Sequence, residues 1–210
     1  STATISVLAR KSRNIHSQEA PEYVAAMLLA VSMMFLRFMI LILIFSSTIF
    51  ASIYPYLLIM AAVAAGVAWF IHCRRKRTPD ADLVEEEDDS SNPLEFKVAL
   101  IFAGLFVIFT VLTHYTLIYA GTGGLNLLSF VSGFSDITPF ILNLLQGTGS
   151  VAATVVMACT MQAIISNIVV NMCYALFFSG KQSKLRSWIL GGFGCVIVAN
   201  VVVLFFFYLI

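Results

Sequence analysis

Asp136 is a carboxylate in neutral surroundings: residues 98–135 and 137–180 contain no Asp, Glu, Lys or Arg. Its neighbours are small and polar, with Ser132, Gly133, Ser135, Thr138 and Pro139 close by in sequence. A carboxylate at membrane depth costs about 2.5–3.5 kcal/mol on insertion scales. It is therefore expected to face a partner, a cavity or an ion path. A helix broken at such a place exposes backbone N–H and C=O groups that can coordinate an ion, which makes Asp136 the one candidate metal ligand. The same residue suits the cap of a half-helix starting at Ile137, with Pro139 in its first turn. The two roles are compatible.

Other residues could join this chemistry. Ser1, Thr2 and Thr4 form a second small-hydroxyl segment. Arg37 falls near the middle of an apolar span, where pairing with Asp136 or holding an anion would offset its cost; a structural ion pair serves equally. Asn167 and Asn171 are one turn apart and share a helix face, with Thr160, Gln162 and Ser166 nearby. Amides in lipid need interhelical partners or a wet pathway. His114 lies near a span end, which suits an interfacial histidine better than a proton relay.

No nucleophile–base pair, Walker loop, H-E-x-x-H or cofactor motif is present, so the chain is not expected to be an enzyme. A lipid-modifying site would need an imidazole, and His16, His72 and His114 are all distant from Asp136 in sequence. Gly191-Gly192-Phe193-Gly194 sits in an apolar span, where close helix packing is the ordinary explanation.

The elements that position these residues follow from composition. Of 210 residues 60% are hydrophobic and 11% charged, against about 25% charged in soluble domains. Charge-free tracts at 40–73, 98–135, 137–180 and 187–210 meet or exceed the roughly 20 residues of a bilayer span. The net charge of +1 gives no basic face for nucleic acid. Cys73, Cys159, Cys173 and Cys195 form no C-x-x-C pair and suit membrane-buried small residues. The expected fold is all-α, a polytopic transmembrane bundle with spans at about 23–50, 53–72, 94–119, 151–178 and 188–210. A broken or re-entrant segment lies at 125–146, with its break near 133–139. Small residues at 61–66 suit close helix packing. The chain opens without Met inside a helical pattern, which suggests spans further upstream.

Aligning the chain with itself at an offset of 134 pairs Ser1–Thr4 with Ser135–Thr138, Met27 with Met161, Ser32 with Ser166 and Arg37 with Asn171. The expected organisation is a first repeat over 1–77, an acidic linker at 78–93 and a second repeat over 94–210. The run Arg74-Arg75-Lys76-Arg77 places 74–93 in the cytoplasm by the positive-inside tendency. If 125–146 crosses once, Lys181, Lys184 and Arg186 fall outside. If it dips and returns, they fall inside, and the repeats are inverted, as in many transporters.

The segments S-T-A-T with L-A-R-K-S-R, M-F-L-R at 34–37, N-P-L-E-F at 92–96 and G-F-S-D-I-T at 133–138 resemble the C-terminal membrane domain, of unknown function, of MgtC/SapB-type bacterial proteins. The resemblance places Ser1–Thr4, Arg37, Asp136 and Asn167 on motif positions and implies a bacterial inner-membrane protein linked to magnesium homeostasis or ion transport. Ile137-Thr138 stands where that pattern has Val-Asp, and Asn171 where Lys is common, so a cation would be held with one carboxylate fewer. The expectation is a transporter or channel whose partners are lipid, a small ion or solute, and a second copy or the upstream part of a longer chain. The alternative is a non-transporting regulatory or scaffolding subunit.

Overall fold

The computed structural model describes residues 4, 5, 8, 9, 20–73, 94–134, 136–146, 152–179 and 183–209; of residues 20, 94–102, 183, 184 and 207–209 it describes the backbone only. Six helices follow one another: α1 (Ala20–Phe45), α2 (Ser47–Cys73), α3 (Leu94–Ser132), α4 (Ile137–Gln146), α5 (Ala153–Phe178) and α6 (Ser183–Leu209). Thr4, Ile5, Leu8 and Ala9 are also helical, and no strand occurs among the described residues. All except α4 are long and apolar enough to cross a membrane. In hydrocarbon a helix is the cheapest state for such a sequence, because it satisfies its own backbone donors and acceptors.

The first span ends at Phe45, where the hydroxyl run Ser46-Ser47-Thr48 begins, rather than at residue 50. Ser46 interrupts the helix after Phe45, and its Oγ accepts the Ile49 N–H at 3.5 Å, at the start of α2. The chain folds back there, so that Ser32 Oγ on α1 donates to the Ala61 carbonyl on α2 at 3.0 Å. Ala61, Ala64 and Ala68 are buried along this contact, since small side chains let helices approach. On α6, a Cβ added at Gly192 would lie 2.8 Å from Leu28 Cδ1 and 3.2 Å from Ile71 Cδ1. Close packing therefore accounts for this glycine.

Gly121 divides α3. It adopts φ 58° and ψ −149°, a region that lacks steric cost only without a Cβ. Beyond it the chain doubles back: a Cβ added at Gly124 would lie 2.6 Å from Thr116 Cγ2. Residues eight apart in a straight helix are separated by about 12 Å. Two pieces result, α3a (94–120) and α3b (122–132).

Whether 122–146 crosses or returns follows from its neighbours. Cys159 on α5 contacts Asn126, Gln162 contacts Ser129, Ser166 contacts Phe130, and Asn167 contacts Gly133. The order is the same on both elements, so α3b runs parallel to α5. Ala153 then lies about 21 Å before the level of Asn167, at about 1.5 Å per residue. If α4 continued in the direction of α3b, Gln146 would lie about 14 Å past that level. The resulting gap of about 35 Å exceeds the reach of the chain between Gln146 and Ala153, at most about 25 Å when fully extended. The half-helix α4 therefore turns back, and 122–146 is a re-entrant hairpin with its break at 133–136.

Two helix pairs flank this hairpin. α1 and α5 each have 26 residues, α2 and α6 each 27. The pairs also share their burial: Ile49, Ile53, Leu57, Met60 and Ala64 of α2 are buried, as are Leu185, Ile189, Phe193, Val196 and Asn200 of α6. These positions differ by a constant 136 residues, while the ends of α1 and α5 differ by 133; the sequence offset of 134 falls between. Gly192, about 14 Å from the start of α6, lies against Leu28, about 12 Å from the start of α1, and against Ile71 near the end of α2. α6 therefore runs alongside α1, and α5 runs opposite to it, which relates the pairs by inversion.

Candidate functional site

The break at 133–136 is built from three elements. α3b delivers its C-terminal carbonyls, α4 its N-terminal amides, and α5 a row of polar side chains. A helix end inside an apolar protein leaves carbonyls or amides without intrahelical partners, so each must be met by a side chain.

α5 meets the carbonyls. Ser166 Oγ donates to the Phe130 carbonyl at 2.7 Å, and Asn167 Nδ2 to the Gly133 carbonyl at 3.2 Å. Asn171 Nδ2 in turn donates to Asn167 Oδ1 at 3.1 Å. The two asparagines form the ladder expected from their spacing, and both are buried. Asn171 Oδ1 is buried with no hydrogen-bond partner among the described residues. An orphaned acceptor of this kind costs about 1–3 kcal/mol. Ser132 is fully buried, and its Oγ donates to the Ser129 carbonyl at 2.7 Å. Gly133 has no room for a side chain: an added Cβ would lie 2.8 Å from the Asn167 backbone nitrogen and overlap Ser166.

Asp136 meets the amides. Its Oδ1 accepts the Thr138 backbone N–H at 3.0 Å and the Thr138 hydroxyl at 2.7 Å. This is an N-cap, with Pro139 close behind where no amide donor is needed. The capping role read from the sequence is thus present. Asp136 is exposed, while Thr138 is buried. Ser1, Thr2 and Ser135 lie outside the described residues, as do the runs 74–77 and 78–93.

Arg37 does not pair with Asp136. It is exposed on α1, about two turns before Phe45 rather than mid-span, and lines a 300 Å³ groove with Thr4, Ala30, Met33 and Met34. Thr4 and Arg37 are therefore together, apart from the α3b–α4–α5 cluster. No group of three or more His, Cys, Asp or Glu is placed to hold a metal among the described residues. His114 is exposed and stacks edge-on against Tyr115.

One polar residue of this region escaped sequence reasoning. Asn143 on α4 is buried, and its Nδ2 donates to the Phe106 carbonyl and the Pro139 carbonyl, each at 3.1 Å. Its Oδ1 accepts from Thr110 Oγ1 at 2.7 Å. With Phe109 packed edge-on against Phe140, these bonds clamp the returning half-helix to α3a. The signal available was its polarity within the apolar end of 125–146.

Fold and site together define a multi-pass helical membrane protein with a re-entrant hairpin whose broken ends are held by polar side chains. Residues 1–179 match the family described as a domain of unknown function (DUF4010), and the chain belongs to that family. It is also similar to an uncharacterized protein of Aquifex aeolicus (strain VF5), with 28% identity over 116 residues. The match covers 54% of this chain and 50% of that protein, so the chain matches about half the length of this relative. No solved structure matches the chain.

Proposed function

We propose that this protein is a membrane transporter or channel, not an enzyme, for a small ion or solute, with its site at the re-entrant break. The observation that carries the reading is Asn171 Oδ1, a buried acceptor without a partner at the foot of the Asn167 ladder. Through Asn167 the ladder reaches the Gly133 carbonyl at the end of α3b, and the carboxylate Asp136 follows three residues further along the chain. Oxygen acceptors at broken helices meeting within a membrane suit a small cation. A bacterial inner-membrane setting and a link to magnesium rest on the resemblance to MgtC/SapB-type proteins, and the inside placement of 74–93 on its basic flank.

Replacing Asn171 by Leu tests this. The change removes the orphaned acceptor but leaves Asn167 Oδ1 without its donor, two effects of about 1–3 kcal/mol that oppose each other. Folding in detergent should therefore change little, while flux into proteoliposomes should fall about tenfold or more, as for the loss of one ligand. Unaltered flux would remove Asn171 from the site. A second reading, a regulatory or scaffolding subunit, is favoured by the internal pairing of Ser132, Ser166, Asn167 and Asn143. It forecasts no flux of Na⁺, K⁺ or Mg²⁺ from the wild-type chain.

A further inference from the structure

Laid over one another at the difference of 133 between their ends, α1 and α5 bury nearly the same positions. Val31, Met34, Phe35, Phe38 and Ile42 are buried in α1, and so are Ile164, Asn167, Ile168, Asn171 and Ala175 in α5. Ile40 and Ile44 are exposed, as are Cys173 and Phe177. The agreement fails along one stripe. Ala26, Met33 and Arg37 are exposed in α1, whereas Cys159, Ser166 and Val170 are buried in α5; Leu29 and Ala30 are likewise more open than Gln162 and Ala163. Positions 26, 29, 30, 33 and 37 lie on one face of a helix.

In α5 this face is covered by α3b, whose Asn126, Ser129 and Phe130 contact Cys159, Gln162 and Ser166. In α1, Ala26, Leu29, Ala30 and Met33 of this face line an open groove of 670 Å³ together with Thr4, Leu8, Ala65 and Trp69, and Arg37 lines the adjoining 300 Å³ groove, which shares Thr4, Ala30 and Met33. From Ala26 to Arg37 the stripe is about 16 Å long, the length of an 11-residue half-helix such as α3b. Its chemistry also fits. Side chains on a helix point back towards its N-terminus, so the Arg37 guanidinium aims along the groove towards Met33. That is the level at which α5 meets the C-terminal carbonyls of α3b, and a cation there complements the negative end of a helix.

We propose that the α1 stripe is the seat of an apolar half-helix equivalent to α3b, carried by the polypeptide upstream of Ser1, with Arg37 holding its C-terminal carbonyls. The connectivity points upstream. α3b leads through its break into α4, and the helical residues Thr4, Ile5, Leu8 and Ala9 occupy the corresponding place before α1. A seated helix would also shelter a guanidinium that is otherwise unfavourable in hydrocarbon.

The test is photo-crosslinking in native membranes, with a benzophenone amino acid at Met33, in the polypeptide bearing its natural upstream sequence. A second probe at Leu43, exposed on the outer face, serves as the lipid-facing control. Mass spectrometry should find Met33 joined to residues upstream of Ser1 within the same molecule, and Leu43 joined to lipid. Arg37→Leu should reduce the Met33 product several-fold, while Arg37→Lys should restore much of it. Crosslinks from Met33 to lipid alone, or to a second copy of the chain, would overturn the proposal.

Discussion

Asp136→Asn should leave the protein folded and stop cation flux. Asn caps a helix about as well as Asp, so the bonds to the Thr138 amide and hydroxyl survive and stability should shift by no more than about 0.5 kcal/mol. What disappears is the one carboxylate in the tract from residue 98 to 180. Charge-assisted contacts are roughly twice as strong as neutral ones, so a pathway relying on this oxygen should lose at least about tenfold in rate. The measurement is ion uptake into proteoliposomes, alongside thermal unfolding in detergent. Normal uptake with normal stability would reduce Asp136 to a cap alone.

Gly133→Ala should have the opposite character, a structural failure with loss of function following from it. The new methyl would meet the backbone nitrogen of Asn167, 2.8 Å away, as well as the Ser166 side chain. A flexible side chain could yield, but the α5 backbone cannot without moving the helix. Overpacking of this kind costs about 1–3 kcal/mol. Displacing α3b also loosens the bonds from Ser166 to Phe130 and from Asn167 to Gly133, each worth about 1 kcal/mol. A total of about 3 kcal/mol or more should appear as a markedly lower unfolding temperature. Unchanged stability would mean that α3b does not rest on α5 at this point.

Much of this architecture could be read from residue types. Long charge-free tracts marked the spans, because hydrocarbon admits little else. The crowding of Ser, Gly, Asp, Thr and Pro at 132–139 marked the break, since each disfavours a continuous helix or favours its cap. The spacing of Asn167 and Asn171 implied a shared face, and both now appear in one ladder. The end of α1 was harder. Ser46, Ser47 and Thr48 mark a break, but hydroxyl residues also occur inside membrane helices, and Ile49 and Phe50 after them are apolar enough to continue a span. The kink at Gly121 falls in the run Gly121-Thr122-Gly123-Gly124, a composition that favours a turn, but nothing in that composition fixes its sharpness, which brings Gly124 back against Thr116. Asn143 was invisible for a similar reason: its partners lie on α3a, more than 30 positions away. Pairing Arg37 with Asp136 was chemically reasonable, yet Arg37 lies on α1 and Asp136 at the break of the hairpin, where its carboxylate is taken up by Thr138.

Everything functional here depends on residues 122–146 entering the bilayer and leaving by the face they entered. Thr122 and Gln146 are both exposed at the two ends of the hairpin. With the native cysteines replaced, Thr122→Cys and Gln146→Cys can each be treated with a membrane-impermeant maleimide in sealed, oriented vesicles. The re-entrant hairpin predicts that both react from the same side. Reaction from opposite sides would mean that the segment crosses, and the broken-helix site would have to be abandoned.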